Sequence, residues 1–167
     1  DRVVSDKSSY PKKWLYHTAA EPTIKGNEFA EVSQGGKSIC RTLLPQKAVI
    51  SKIGGEGKQF WSDGKNWPLP DPKKEDRSQV HVVNRKAGND HPLFGQWRVE
   101  ISPKKSAEKD YFLHILQVGD ESLQSLPKTK CEDGKENVIL SFDYAGSTYT
   151  LTFDKTKQYG CKIKIAK

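Results

Sequence analysis

Apolar and polar residues alternate with period two along most of the chain. Tyr149, Leu151 and Phe153 alternate with Thr148, Thr150 and Thr152, as in a half-buried strand with threonines in water and large apolar side chains inward. The run from Val138 to Tyr144 precedes it, and the two are joined only by Ala145-Gly146. So short a Gly-containing link predicts a β-hairpin. Cys161 to Ile165 repeats the pattern, with Ile163 and Ile165 inward and Lys162 and Lys164 outward. Earlier strands are expected at 14–18, 28–33, 38–44, 48–53, 79–84, 96–102 and 111–118. In 96–102, Trp97, Val99 and Ile101 share one face and Gln96, Arg98 and Glu100 the other. The run 111–118 is almost continuously apolar and predicts a central strand covered on both faces. About ten short strands broken by Gly and Pro predict an all-β fold, an antiparallel β-sandwich. The chain is expected to form one domain over 1–167, with 1–10 as a flexible N-terminal segment or linker.

One long irregular stretch, Gly54 to Ser78, interrupts this order with Gly54, Gly55, Gly57, Gly64, Pro68, Pro70 and Pro72. Strands of the same character resume beyond it, so it reads as a Gly/Pro-rich surface loop of a single domain, a place where binding residues concentrate. Lys58, Phe60, Trp61, Lys65, Asn66 and Trp67 fall within it, and Asp63-Gly64 predicts a turn between two Trp-bearing arms. Flat aromatic faces stack on the C–H side of a sugar or on a base, while Lys, Arg and Asn supply charge and directed hydrogen bonds to carboxylate, sulfate or phosphate. Arg85 and Lys86 follow the strand at 79–84 and are expected to return toward the same end of the sandwich. The candidate binding set is therefore Lys58, Trp61, Lys65, Asn66, Trp67, Arg85 and Lys86. In the alternative reading, Trp61 and Trp67 fold back over the sandwich edge as a satellite cluster.

Composition narrows the function classes. The 167 residues carry 28 Lys and Arg against 21 Asp and Glu, a net charge of +7, and the excess is spread along the chain. Such a balance favours an anionic partner, whether nucleic acid, acidic polysaccharide or membrane surface. No apolar run approaches the length of a membrane span. The chain holds no Met, so it reads as a processed product or a piece of a longer protein. Cys40, Cys131 and Cys161 have no zinc-ligand spacing, permit at most one disulfide, and are expected to form none. His17 and His114 read as core or edge histidines in apolar strands, His81 is expected to point to the opposite face from Val80 and Val82, and His91 before Pro92 predicts a turn. Gly54 to Gly57 lacks the ending of a phosphate-binding loop, and no nucleophile–base pair is visible. No cofactor is implied; a structural calcium ion at the acidic loops is the one metal the sequence admits.

Several ordered stretches carry a resemblance: Lys13-Trp-Leu-Tyr-His-Thr18, Glu21-Pro-Thr-Ile24, Gly35-Gly-Lys-Ser-Ile-Cys-Arg-Thr-Leu-Leu-Pro45, Ile53-Gly-Gly-Glu-Gly57 and Phe60-Trp-Ser-Asp-Gly-Lys-Asn66. Gly95-Gln-Trp-Arg-Val-Glu-Ile-Ser-Pro103 and Asp110-Tyr-Phe-Leu-His-Ile-Leu-Gln-Val-Gly-Asp120 complete the run. Over residues 10 to 120 the chain resembles the C-terminal β-sandwich region of heparinase II/III-like polysaccharide lyases, multidomain bacterial enzymes that cleave uronic-acid polysaccharides by β-elimination. Beyond residue 120 only the strand pattern agrees. The family's catalytic Tyr and His belong, by its architecture, to a helical toroid and the sandwich joined to it. No counterpart of the toroid is visible here, so no catalytic role passes to Tyr16, His17 or His114.

The resemblance implies a secreted or periplasmic accessory domain of a larger lyase, itself not an enzyme, with the catalytic domains of that lyase among its partners. Joined to the charge and the aromatic-basic loop, it leads to the expectation of a carbohydrate-binding module for an acidic glycosaminoglycan, chondroitin sulfate or hyaluronan ahead of heparin or alginate. The alternative is a structural accessory domain of the lyase with no sugar affinity of its own. A nucleic-acid binder would explain the charge but not the resemblance, and its aromatic signatures are missing. No nucleic-acid partner is therefore expected.

Overall fold

The computed structural model describes residues 1–67, 95–157 and 160–167. The expected strand at 79–84 and the candidate residues Arg85 and Lys86 lie outside them, as do His81 and His91. Among the described residues the chain is all-β, with fifteen strands. Five are only two or three residues long: β1 (Arg2–Val4), β3 (Thr23–Lys25), β7 (Trp61–Ser62), β8 (Lys65–Asn66) and β10 (Lys109–Tyr111). The longer ones are β2 (Trp14–Thr18), β4 (Glu28–Ser33), β5 (Gly36–Leu44), β6 (Ala48–Gly54), β9 (Trp97–Pro103), β11 (Leu113–Asp120), β12 (Thr129–Asp133), β13 (Asn137–Tyr144), β14 (Ser147–Asp154) and β15 (Cys161–Ala166). All the pairings are antiparallel. The described chain divides into two compact units, 1–123 and 124–167, where the sequence reads as one domain.

The first unit is a sandwich. A four-stranded sheet in the order β11-β5-β4-β3 faces a three-stranded sheet in the order β2-β9-β6. Phe29 and Cys40 of the first meet Val99 and Ile101 of the second, each of the four at most 1% exposed. Trp14, Tyr16, Ile24, Ala48 and Ile50 pack around them. Alternation places these residues: on β9, Val99 and Ile101 point inward and Arg98 and Glu100 outward. Beside the sheets, Lys12 and Asp110 form a buried ion pair at 3.0 Å, and Asp110 also accepts a hydrogen bond from the Ala107 N–H. A buried pair of this kind costs desolvation that close contact and added hydrogen bonds offset. The segment 1–10, expected as a flexible lead-in, contributes β1, which pairs with β10.

The apolar run that predicts a central strand behaves otherwise. β11 starts two residues later than expected and lies at the edge of its sheet, with Leu116 and Val118 exposed. The strand covered on both faces is its neighbour β5, where Ser38, Ile39 and Cys40 are buried in succession. A continuous apolar run signals packing on both sides, but at β11 the three-stranded opposite sheet is narrower than the four-stranded one.

The second unit is a single meander in the order β12-β13-β14-β15. The predicted hairpin is present, with Tyr144 opposite Ser147. Ala145 and Gly146 both take positive φ, 49° and 75°, the backbone of the type I′ turn that suits the twist of two antiparallel strands. On one face Val138 and Leu140 are buried, whereas Ile163 and Ile165 of β15 are exposed, against the inward position expected for them.

Candidate functional site

The Asp63-Gly64 turn predicted between the Trp-bearing arms is the tip of the β7–β8 hairpin. Asp63 and Gly64 have φ of 51° and 81°, which Asp and Gly tolerate best at a two-residue turn. Trp61 stands opposite Asn66 and Ser62 opposite Lys65. So small a hairpin needs tethers, and it has them. The Phe60 N–H donates to Asn66 Oδ1 at 2.8 Å, and the Trp67 N–H to the Phe60 carbonyl at 3.2 Å. The Trp67 Nε1–H donates to the Ser62 carbonyl at 3.2 Å. Arg98, on the outer face of β9, donates from Nη2 to the Trp61 carbonyl at 3.0 Å.

Each indole carries a lysine. The Lys58 ammonium lies 5.7 Å from the Trp61 ring centroid, and the Lys65 ammonium 3.5 Å from that of Trp67. Both are cation–π distances. Trp61 is half-buried, Trp67 is 46% exposed, and both lysines are exposed. Five of the seven candidate residues are thus brought together on this hairpin and the turn that leads into it. Asn66 serves there first as a tether, through its bond to Phe60.

Trp61, Ser62 and Asp63 also line an open cleft of about 440 Å³ above the three-stranded sheet. Lys13 and Leu15 contribute from β2 and the residue before it, Ile53 from β6, and Arg98 and Glu100 from β9. Glu100 joins the two cations: Oε2 accepts from Lys13 Nζ at 2.6 Å, and Oε1 from Arg98 Nη2 at 2.6 Å and Nε at 2.8 Å. Burial alone would raise the Glu100 carboxyl, but hydrogen bonds and charge from Lys13 and Arg98 outweigh it and hold the group below its usual value. This triad was not among the sequence candidates. Its trace was the pairing of Arg98 with Glu100 on the wet face of one strand, which reads as ordinary surface until the hairpin is seen to rest on it.

His114 is a packed histidine. Its ring stacks on Trp14 at 4.1 Å, Nδ1 lies 3.2 Å from Thr42 Oγ1, and Nε2 is buried with no hydrogen-bond partner among the described residues. Burial, with a smaller contribution from the N-terminal ammonium, pushes its pKa down to about 4. His17 is exposed on β2. Among the described residues no three His, Cys, Asp or Glu side chains are placed to hold a metal ion. No described helix is long and apolar enough to cross a membrane.

The fold and site define an all-β protein that presents an aromatic-basic hairpin over a small mixed-charge cleft. No protein-family model matches the chain, and no curated protein matches it.

Proposed function

We propose that the chain is a non-catalytic carbohydrate-binding module of a polysaccharide lyase and that its ligand is an acidic glycosaminoglycan such as chondroitin sulfate or hyaluronan. The observation that carries this reading is the pair of lysine–tryptophan contacts on one short, tethered hairpin. An indole offers dispersion and C–H contact to a pyranose, and an ammonium beside it attracts a uronate or sulfate. The net charge of +7 and the resemblance of residues 10 to 120 to the heparinase II/III-like lyases support the same reading. Charge supplies most of the affinity and stacking supplies orientation.

Titration with chondroitin sulfate, hyaluronan, heparin, alginate and a neutral glucan tests it. Binding should be confined to the acidic chains and fall steeply as salt is raised, because exposed charges are screened beyond about 8 Å at physiological ionic strength. Salt-independent binding to a sulfated chain would rule out the charge-driven account. The second reading, a structural accessory domain of the lyase, is favoured by the exposed Leu116 and Val118 on β11, the kind of apolar surface a protein partner covers. Absence of binding to every polysaccharide would establish it over the first.

A further inference from the structure

The hairpin and the cleft beneath it differ in charge. Lys58 and Lys65 stand exposed on the hairpin as cations beside their indoles. In the cleft, the described lining sets Lys13 and Arg98 against Asp63 and Glu100, so the formal charges cancel. Both cations are already held by Glu100 at 2.6 Å. We propose that the cleft receives the uncharged amino-sugar unit of an alternating acidic polysaccharide, while the hairpin lysines take the neighbouring uronate. This rests on the carbohydrate-binding reading and narrows it to chains in which uronates alternate with an unsulfated N-acetylhexosamine.

An anion entering the cleft would meet two carboxylates, while the two cations of its described lining are already engaged by Glu100. Like charges repel, and an anion there gains no free counter-charge to offset that repulsion. A hydroxyl or amide N–H meets the opposite situation, since a carboxylate is its strongest acceptor. Glu100 and Asp63 supply such acceptors, and the exposed Ser62 hydroxyl adds a donor and acceptor. Leu15, Ile53 and Trp61 give the apolar wall that the C–H face of a pyranose needs. The cleft volume, about 440 Å³, falls within the range of small-molecule sites. A polyuronate has a carboxylate on every ring and cannot fill the cleft without placing one there. Hyaluronan has one on every second ring.

The experiment is calorimetric titration of the whole chain with hyaluronan and alginate oligosaccharides of equal length. It compares wild type with Asp63→Asn, Glu100→Gln, Leu15→Ala and Lys58→Ala. Asp63 and Leu15 are exposed, and Asn-Gly keeps the turn, so these two variants fold even if Glu100→Gln loosens the hairpin; matched melting temperatures verify it. Wild type should prefer hyaluronan. Each cleft variant should weaken hyaluronan about tenfold, the loss expected for one charge-assisted hydrogen bond or apolar wall contact, and leave alginate unchanged or tighter. Lys58→Ala should weaken both. Equal wild-type affinity for the two chains, or a preference untouched by all three cleft variants, overturns this inference and leaves the carbohydrate-binding reading standing. A wild-type chain that binds neither overturns this inference, and one that also fails to bind chondroitin sulfate and heparin overturns the carbohydrate-binding reading with it.

Discussion

Ala145 holds φ at 49°, a region that costs an L-residue with a Cβ about 1–2 kcal/mol and that Asn visits more readily. Replacing it by Asn completes the preferred Asn-Gly turn. Ala145→Asn should therefore raise stability by about 0.5–1 kcal/mol, read as a higher urea midpoint at unchanged slope. His114 has the opposite character. Its folded pKa, about 4, lies below the ordinary 6.5, so between those values the unfolded chain binds the proton and the folded chain does not. Stability from this residue is complete above about pH 6.5, declines as pH falls, and is lost below about pH 4. Urea melts between pH 7.5 and pH 4.5 should show the decline in wild type and a flatter profile in His114→Gln.

The elements differ in how much of their structure the sequence carries. β13 and β14 were legible down to their pairing, because threonines and large apolar residues alternate and a two-residue loop fixes the register. The hairpin of β7 and β8 was legible from Asp-Gly. β12 was not, since Lys130, Glu132 and Asp133 mask its alternation, and the exchange of roles between β5 and β11 depends on sheet width, which no local run encodes. In the same way Lys58, Trp61, Lys65 and Trp67 announced the hairpin, whereas the Arg98 tether to Trp61 joins residues far apart in sequence. The two tryptophans should separate by role. Trp67 is 46% exposed, so Trp67→Ala should lower glycan affinity about tenfold, as for an interface anchor, with the melting temperature nearly unchanged. Trp61 is half-buried against the cleft, and Trp61→Ala should lower melting temperature and affinity together. Scanning calorimetry beside titration calorimetry reads both.

For the whole molecule, the cysteines report on the integrity of both units at once. Cys40, Cys131 and Cys161 are free thiols, respectively buried, half-buried and exposed. Burial, with the nearby Glu28 charge adding to it, pushes the Cys40 thiol up to about 12. Burial and the Asp133 charge raise Cys131 more modestly, against the opposing pull of Lys155. Because the reagent must reach the sulfur, a disulfide-exchange reagent should label the exposed Cys161 first, Cys131 more slowly and Cys40 only when the sandwich opens. The denatured, unreduced chain should yield all three.

The strand order also sets a schedule. In the second unit every pairing joins consecutive strands, whereas the sandwich depends on β5 meeting β11 and β2 meeting β9 across most of its length. Closing a long loop costs entropy before its contacts repay it, so topologies rich in distant pairings form slowly. During refolding, backbone amides of β13 and β14 should gain protection from hydrogen exchange ahead of those of β2 and β9. Pulse-labelled exchange would register the delay, and for its duration the nascent sandwich would expose unpaired strand edges to neighbouring chains.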